Sequence, residues 1–330
     1  MGQSQIQAVR LTSQEHQGCV ACGGSDLLRI SMLPDVALYR CRLCGSAETH
    51  PRRTRDQLDT AYQQSYYGPE NVKFVSWIER AVAQLTRFRA RQIDHLLRRK
   101  SRILEVGCGR GQLLKALSDL GHECYGTERS ELAAFRARQT PGITVYCKPL
   151  AECGIQENSL DLIILWHVLE HLDDIAKEIQ VLFKLLHKGG MILVEVPNYT
   201  SFQSRLAKSQ WFHLDLNHHL FHFSDRGLRE LLTRIGLQPA KLGTFNLEQC
   251  PYGVLQSWLN MLGLPRDQLY RILKKEVSVP LAIRIANYLL ATLLTLPATV
   301  FSLVEALLDS GGVLRFCAKK ETDVVPIART

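Results

Sequence analysis

The chain has 330 residues, 46% of them hydrophobic and 22% charged, with 40 Lys+Arg against 32 Asp+Glu and a formal net charge of +8. That balance excludes a disordered or collagen-like chain and a lone small binding module, and suits one enzyme-sized domain with smaller attachments. Most of the positive surplus lies in the first hundred residues, where it can draw an anionic metabolite, nucleic acid or an anionic membrane, or simply form solvated faces such as Arg87 to Arg99.

The first residues, Met1 to Gln17, are polar and lack the apolar stretch of a secretory signal, so a cytoplasmic location is expected. Next come two Cys-x-x-Cys-Gly knuckles, Cys19/Cys22 and Cys41/Cys44, separated by 18 residues. Four thiolates so spaced can surround one Zn²⁺ tetrahedrally, and a closed Cys₄ set leaves no coordination position for chemistry. The expected metal is therefore a structural Zn²⁺ in a ribbon-like unit of residues 1–50; a redox dithiol is the alternative. The other six of the ten cysteines stand singly in apolar or strand-like contexts, which fits a reducing compartment.

Residues 51–100 read as a linker and helical arm, with a helix over 76–99 carrying apolar residues at helical spacing, among them Val82, Leu85, Phe88 and Ile93. From residue 101 strands alternate with helices: strand 103–106, helix 112–120, strand 123–127, helix 131–139, strands 143–147 and 160–166, helix 173–186 and strand 191–196. This alternation predicts parallel pairing through right-handed crossovers, hence a doubly wound α/β sheet. A helix over 224–235 and strands over 238–246 and 312–318 complete a core of residues 101–250 and a last strand and tail, 311–330.

Between those last strands, residues 251–310 form an apolar helical insertion, with no charged residue from Ile285 to Val304. The length is that of a membrane span. Strands of one sheet at both ends argue against a crossing, and Asn287 and Pro297 interrupt the run. The expectation is a helical hairpin buried on the domain or at a dimer interface; the alternative is peripheral membrane contact through 280–308, or a greasy acceptor tunnel.

The strongest motif is the strand Ile103 to Val106 running into Gly107-Cys108-Gly109-Arg110-Gly111 and a helix. Glycines let the backbone turn sharply against a ligand, and the helix N-terminus offers unpaired N–H groups. Glu128, at the end of the next strand, stands where a carboxylate accepts both hydroxyls of a ribose. Gln112 occupies the position of the third glycine of a dinucleotide fingerprint.

With Glu105 ahead of Gly-x-Gly-x-Gly, the chain resembles the class I S-adenosylmethionine-dependent methyltransferases, with a doubly wound, mostly parallel seven-stranded sheet. Asp161 to His171, Gly189-Gly190, Val194 to Asn198, Trp211 and Asn217 to Ser224 extend the resemblance towards the small-molecule O-methyltransferase branch. It implies that Glu105 and the turn Gly107, Cys108, Gly109, Gly111 hold the methionine part of S-adenosylmethionine, that Glu128 binds its ribose, that backbone around Leu150 meets the adenine, that Trp166 lies beside the cofactor, and that the arm caps it. Tyr62, Tyr66 and Tyr67 resemble a segment folding over the cofactor; a plain aromatic anchor is the alternative.

A hydroxyl acceptor at neutral pH benefits from a base of near-neutral pKa, which histidine fits best. Ligands of a doubly wound sheet lie at the carboxyl ends of its strands, which places Trp166, His167, His171, Asn198 and Tyr199 near the reacting centre, and a later loop adds His213, His218, His219 and His222. His219 is the expected base, with His167 and His171 as further candidates; a purely structural role for His219 and His222 is the alternative. A metal held by His213, His218, His219 and His222 has only Asp215 as an accompanying carboxylate. The expected function is O-methylation of a small molecule, glycan or lipid-linked precursor. The alternatives are an RNA methyltransferase reading nucleic acid through the ribbon, and a non-catalytic cofactor-binding scaffold.

Overall fold

A computed structural model describes residues 9–10, 18–33, 36–52 and 76–322. Tyr62, Tyr66 and Tyr67 lie outside the described residues.

The central sheet has seven strands in the order β11-β12-β9-β8-β5-β6-β7. These are β5 (Arg102–Val106), β6 (Glu123–Thr127), β7 (Ile143–Tyr146), β8 (Leu160–Trp166), β9 (Leu186–Pro197), β11 (Leu237–Gly243) and β12 (Val313–Lys320). Strands β5 to β9 pair in parallel, and β12 runs antiparallel to both β9 and β11. β8 is a nearly unbroken apolar run buried along its length, as befits a strand covered on both faces. One face is covered by α4 (Ile175–Leu185) and α6 (Asp225–Arg234), whose Ile179, Phe183, Leu228 and Leu232 join Leu104, Ile163 and Phe316. The other is covered by α1 (Ser76–Leu97), α2 (Gln112–Asp119) and α3 (Glu131–Arg138), through Ala90, Ile93, Leu114, Leu117 and Ala137. Phe88 of the expected α1 stripe instead stays exposed. β9 begins five residues before its expected start, because Leu186 pairs with Leu160 ahead of a register shift.

The cysteine-rich segment forms β1 (Val9–Arg10), β2 (Leu27–Leu33), β3 (Val36–Cys41) and β4 (Ala47–His50), all antiparallel. Its fifth strand, β10 (Phe221–His222), comes from the histidine-rich loop of the core: Phe221 pairs with Glu48 and His222 with Ala47. The ribbon's sheet therefore continues into the loop that carries the candidate base.

The insertion departs from the expected buried hairpin. It consists of α7 (Cys250–Met261), α8 (Gln268–Leu273) and one continuous helix, α9 (Leu281–Leu307), which runs through both Asn287 and Pro297. Asn287 does not break it, because its amide donates to the carbonyl of Ile283 and to Gln268 Oε1. One side of α9 packs on α7 through Leu290, Leu294 and Phe301. On the other side Leu289, Leu293 and Leu296 are 67%, 71% and 72% exposed. A single crossing would separate β11 from β12, yet these strands pair from Leu237–Lys320 onwards, so α9 lies on one side of any bilayer.

Candidate functional site

The glycine turn follows β5 at the centre of the sheet. Gly107, Gly109 and Gly111 have φ of 67°, 54° and 71°. At Gly109 this left-handed backbone disfavours any side chain. At Gly111 close approach adds to it: a Cβ would stand 2.7 Å from Ile143 Cδ1, so glycine lets α2 begin against β7. The Cys108 N–H donates to the carbonyl of Thr127, tying the turn to β6.

Two buried carboxylates flank this turn. Glu128 accepts the N–H of Gly109 and of Ser130, each at 2.8 Å, one on each oxygen. Glu105 is 7% exposed, and its Oε2 has no hydrogen-bond partner. Burial pushes its carboxyl up to about 8, against the partial relief given by the Arg89 guanidinium. Arg89 comes from α1 and stacks over Trp166 at 4.0 Å, while Arg315 stacks on the same ring at 5.1 Å. α1 also meets the turn through Arg110, which donates to Glu79 at 2.8 Å. Neither Arg89 nor Glu79 stands out in the sequence, where α1 is one Arg-rich helix. Leu150 is buried in the main core, so only the backbone of its turn is left for a ligand.

The segment after β8 touches the turn: a Cβ on Gly107 would lie 2.7 Å from Val168 Cγ2. Beside Val168, His167 takes φ of 53°, a conformation that costs a non-glycine residue about 1–3 kcal/mol and needs surrounding structure to hold it. Here two buried carboxylates do so, Glu195 at 3.2 Å from Nε2 and Glu170 at 3.4 Å from Nδ1. Burial opposes a charge on His167, yet these two partners outweigh it and raise its pKa to about 9, so it keeps its proton at neutral pH. Glu195, wholly buried, is also gripped by Arg315 at 2.6 Å and by the Asn246 amide.

His171 and His219 face each other edge to face, their rings 4.7 Å apart. The Nδ1–H of His171 donates to the carbonyl of His218, and that of His219 to the carbonyl of His213, both at 2.9 Å. Carbonyls only accept, so in the neutral rings both protons sit on Nδ1 and both Nε2 atoms carry lone pairs. Burial, then the proximity of His219, pushes His171 down to about 4. Glu170, 1% exposed, completes the group, with one ligand atom from each of the three residues within 4.8 Å of the others. Glu170 was missed in the sequence, although it stands within His167-x-x-Glu170-His171.

The histidines of the later loop do not gather around one point. His213 faces the Gln249 carbonyl, His218 binds both oxygens of Asp215, and His222 meets Thr49 Oγ1 in the ribbon. Two other residues expected near the reacting centre are turned away from it. Asn198 bonds Gly311 and Thr200, and Tyr199 packs in the cluster beneath the ribbon sheet.

A cavity of about 680 Å³ opens over the histidine pair and continues between the 212–219 loop, α7 and α8, where Phe212, Tyr252 and Tyr270 line it. Among the described residues none of its lining comes from α9, so the apolar helix builds no tunnel wall there.

The four ribbon cysteines cluster, with Sγ to Sγ distances of 3.7 Å for Cys19–Cys44 and 3.5 Å for Cys22–Cys41. Four sulfurs about 2.3 Å from a tetrahedral Zn²⁺ would stand about 3.8 Å apart, close to what is seen.

Parts of the chain are similar to known proteins. A stretch of 102 residues is 33% identical to a probable S-adenosylmethionine-dependent methyltransferase of Mycolicibacterium smegmatis, covering 30% of this chain and 39% of that protein. Over 103 residues the chain is 35% identical to a ubiquinone biosynthesis O-methyltransferase of Colwellia psychrerythraea, covering 29% and 42%. The chain thus spans less than half the length of these curated relatives. A solved SAM-dependent methyltransferase from Archaeoglobus fulgidus is 19% identical, with a TM-score of 0.47 over 72% of this chain and 94% of that one. The methyltransferase domain model matches residues 74–242, just over half of the chain and the part that builds the glycine turn and both carboxylates, and the chain belongs to that family.

Proposed function

We propose that this protein is an S-adenosylmethionine-dependent methyltransferase that methylates a hydroxyl oxygen of a small molecule, glycan or lipid-linked precursor. The observation that carries the reading is the close approach of Gly107 to Val168, which follows the cavity-lining His167 and precedes the cavity-lining Glu170 and His171. A cofactor at the turn and an acceptor in the cavity would then be neighbours. The buried, unpartnered Glu105 oxygen fits a cationic ligand. Glu128, tied to the turn through the Gly109 N–H, is the carboxylate that would take the ribose hydroxyls.

When bound, S-adenosylmethionine supplies a methyl group on a positively charged sulfur. In this reading the glycine turn receives the methionine part, Glu105 balances its positive charge and Glu128 orients its ribose. His219, with its Nδ1 proton held by the His213 carbonyl, has the Nε2 lone pair with which to take the acceptor's hydroxyl proton. His167 keeps its own proton and anchors Glu170. Cys19, Cys22, Cys41 and Cys44 would hold one structural Zn²⁺ with every position filled by thiolate.

A lipid-linked acceptor is favoured by the exposed apolar side of α9. Exposed basic residues, Arg284 in the first turn of α9 and Arg271 and Lys275 in and after the preceding α8, suit an anionic membrane surface. The test is transfer of labelled methyl from S-adenosylmethionine into cell extract divided into lipid, polar-metabolite and nucleic-acid fractions, with a Gly109→Val protein as blank. Label in the lipid or polar fraction is the expected result. Label confined to nucleic acid would replace this reading with the RNA methyltransferase, and cofactor binding without any label would replace it with the scaffold.

A further inference from the structure

We infer that Glu170, His171 and His219 form a second metal site, distinct from the ribbon cysteines, which takes one divalent ion of the Mn²⁺ to Zn²⁺ series. Three observations converge on it. The ligand atoms of the three residues lie within 4.8 Å of one another, close enough to share one ion. Both imidazoles are oriented from behind by backbone carbonyls, which fixes Nδ1–H and leaves Nε2 as donor, the outer support that metal-bound histidines use. And the Glu170 carboxylate, 1% exposed, is faced by His167 on Oε1 alone, at 3.4 Å, while its buried Oε2 has no hydrogen-bond donor. A buried carboxylate oxygen without a donor favours a ligand that supplies one or a cation.

The donor set selects the class of ion. Two imidazole nitrogens and one carboxylate suit the borderline first-row divalent ions better than Mg²⁺ or Ca²⁺, which prefer oxygen. Three protein ligands also leave positions open, and the group lines the 680 Å³ cavity, so an oxygen of water or of a ligand can complete the shell. The inference deepens the proposed methyl transfer and rests on it only for the role of the ion. There, the acceptor's hydroxyl oxygen would bind the ion, its proton would pass to cavity water, and the O–CH₃ bond would form as the S–CH₃ bond breaks. His219 then acts as a ligand and the lowered pKa of the bound hydroxyl replaces the base.

Cobalt titration of the full-length protein separates the two sites, because thiolate-bound Co²⁺ gives intense charge-transfer bands and a nitrogen–oxygen site gives only weak d–d absorption. The expected result is a second equivalent without thiolate bands, weakened at least tenfold by Glu170→Gln and by His219→Ala. His218→Asn keeps the backbone carbonyl that orients His171 and should leave the second equivalent unchanged. Thermal melting of each variant reports whether it folds, and thiolate bands from the first equivalent serve as an internal control. Absence of a second equivalent in the unmodified protein would overturn the site, as would folded Glu170→Gln and His219→Ala proteins that bind it with undiminished affinity. None of these readouts requires methyl transfer, so failure of the metal site and failure of the proposed activity are separable.

Discussion

Ser224 Oγ donates to the carbonyl of Cys44 at 2.6 Å while accepting the N–H of Gly227, so one hydroxyl closes the ribbon's second knuckle and caps α6 of the core. Ser46 Oγ in turn accepts the Ser224 N–H at 3.0 Å. Removing this hydroxyl leaves a helix N-cap and a buried carbonyl without their partner. Ser224→Ala should destabilise the protein by about 1–3 kcal/mol, from a lost cap and a lost buried bond together. A thermal midpoint lowered by several degrees checks this; an unchanged midpoint would show that ribbon and core are not coupled through Ser224. For the same reason, metal chelation should lower the melting temperature of the whole protein, since β10 belongs to both the ribbon sheet and the histidine loop.

Gly109→Val tests the cofactor assignment. At φ of 54° a side chain costs about 1–2 kcal/mol, and a β-branched one more, so the turn must rearrange where Gly109 N–H meets Glu128. Calorimetric titration with S-adenosylmethionine should show binding lost, with the metal content of the ribbon unchanged. Retained binding by the valine variant would place the cofactor elsewhere.

The raised pKa of Glu105 has a definite sign. In the folded chain the carboxyl holds its proton up to about 8, whereas the unfolded chain releases it near 4.5. Its contribution to the stability of the cofactor-free protein is therefore full below 4.5 and is lost progressively as pH rises to about 8. Binding of a cationic ligand runs the other way, because it favours the ionised carboxylate. Affinity for S-adenosylmethionine should climb with pH, by at most about tenfold per unit, and level off above about 8. Glu105→Gln should bind more weakly and flatten that profile; an unchanged profile would mean that Glu105 does not face the positive charge.

Strand and helix alternation, the glycine turn and Glu128 were readable because each depends on local pattern: buried β8 is an apolar run, and Gly107 to Gly111 sit where a strand meets a helix. What escaped depends on distant partners. β10 has two residues and no strand pattern of its own, so its pairing with β4 across more than 170 positions is invisible locally. Glu170 reads as one more acidic residue of a helix start. Only the turn at His167, held by Glu195 from the next strand, brings it beside His171 and His219. The charge-free run in α9 was legible, but its environment was not, because composition does not tell which side of a helix finds a neighbour.

That environment makes the last prediction. α9 is 27 residues long, about 40 Å at 1.5 Å per residue. Its inward side holds Asn287, Ala298, Ser302 and Glu305, all buried, whereas Leu289, Leu293 and Leu296 project together from the opposite side. Those leucines contribute little to folding, so replacing all three by Gln should leave the melting temperature within about a degree or raise it. They contribute fully to any surface that covers them, at roughly 1.5–3 kcal/mol per leucine buried. Co-sedimentation with vesicles of phosphatidylcholine and anionic phosphatidylglycerol should therefore fall steeply in the triple variant, and high salt should weaken binding of the unmodified protein through Arg271, Lys275 and Arg284. Equal sedimentation of the two proteins would remove α9 as the membrane contact. A concentration-dependent dimer that the same substitutions dissolve would instead make this side of α9 an interface between two copies of the chain.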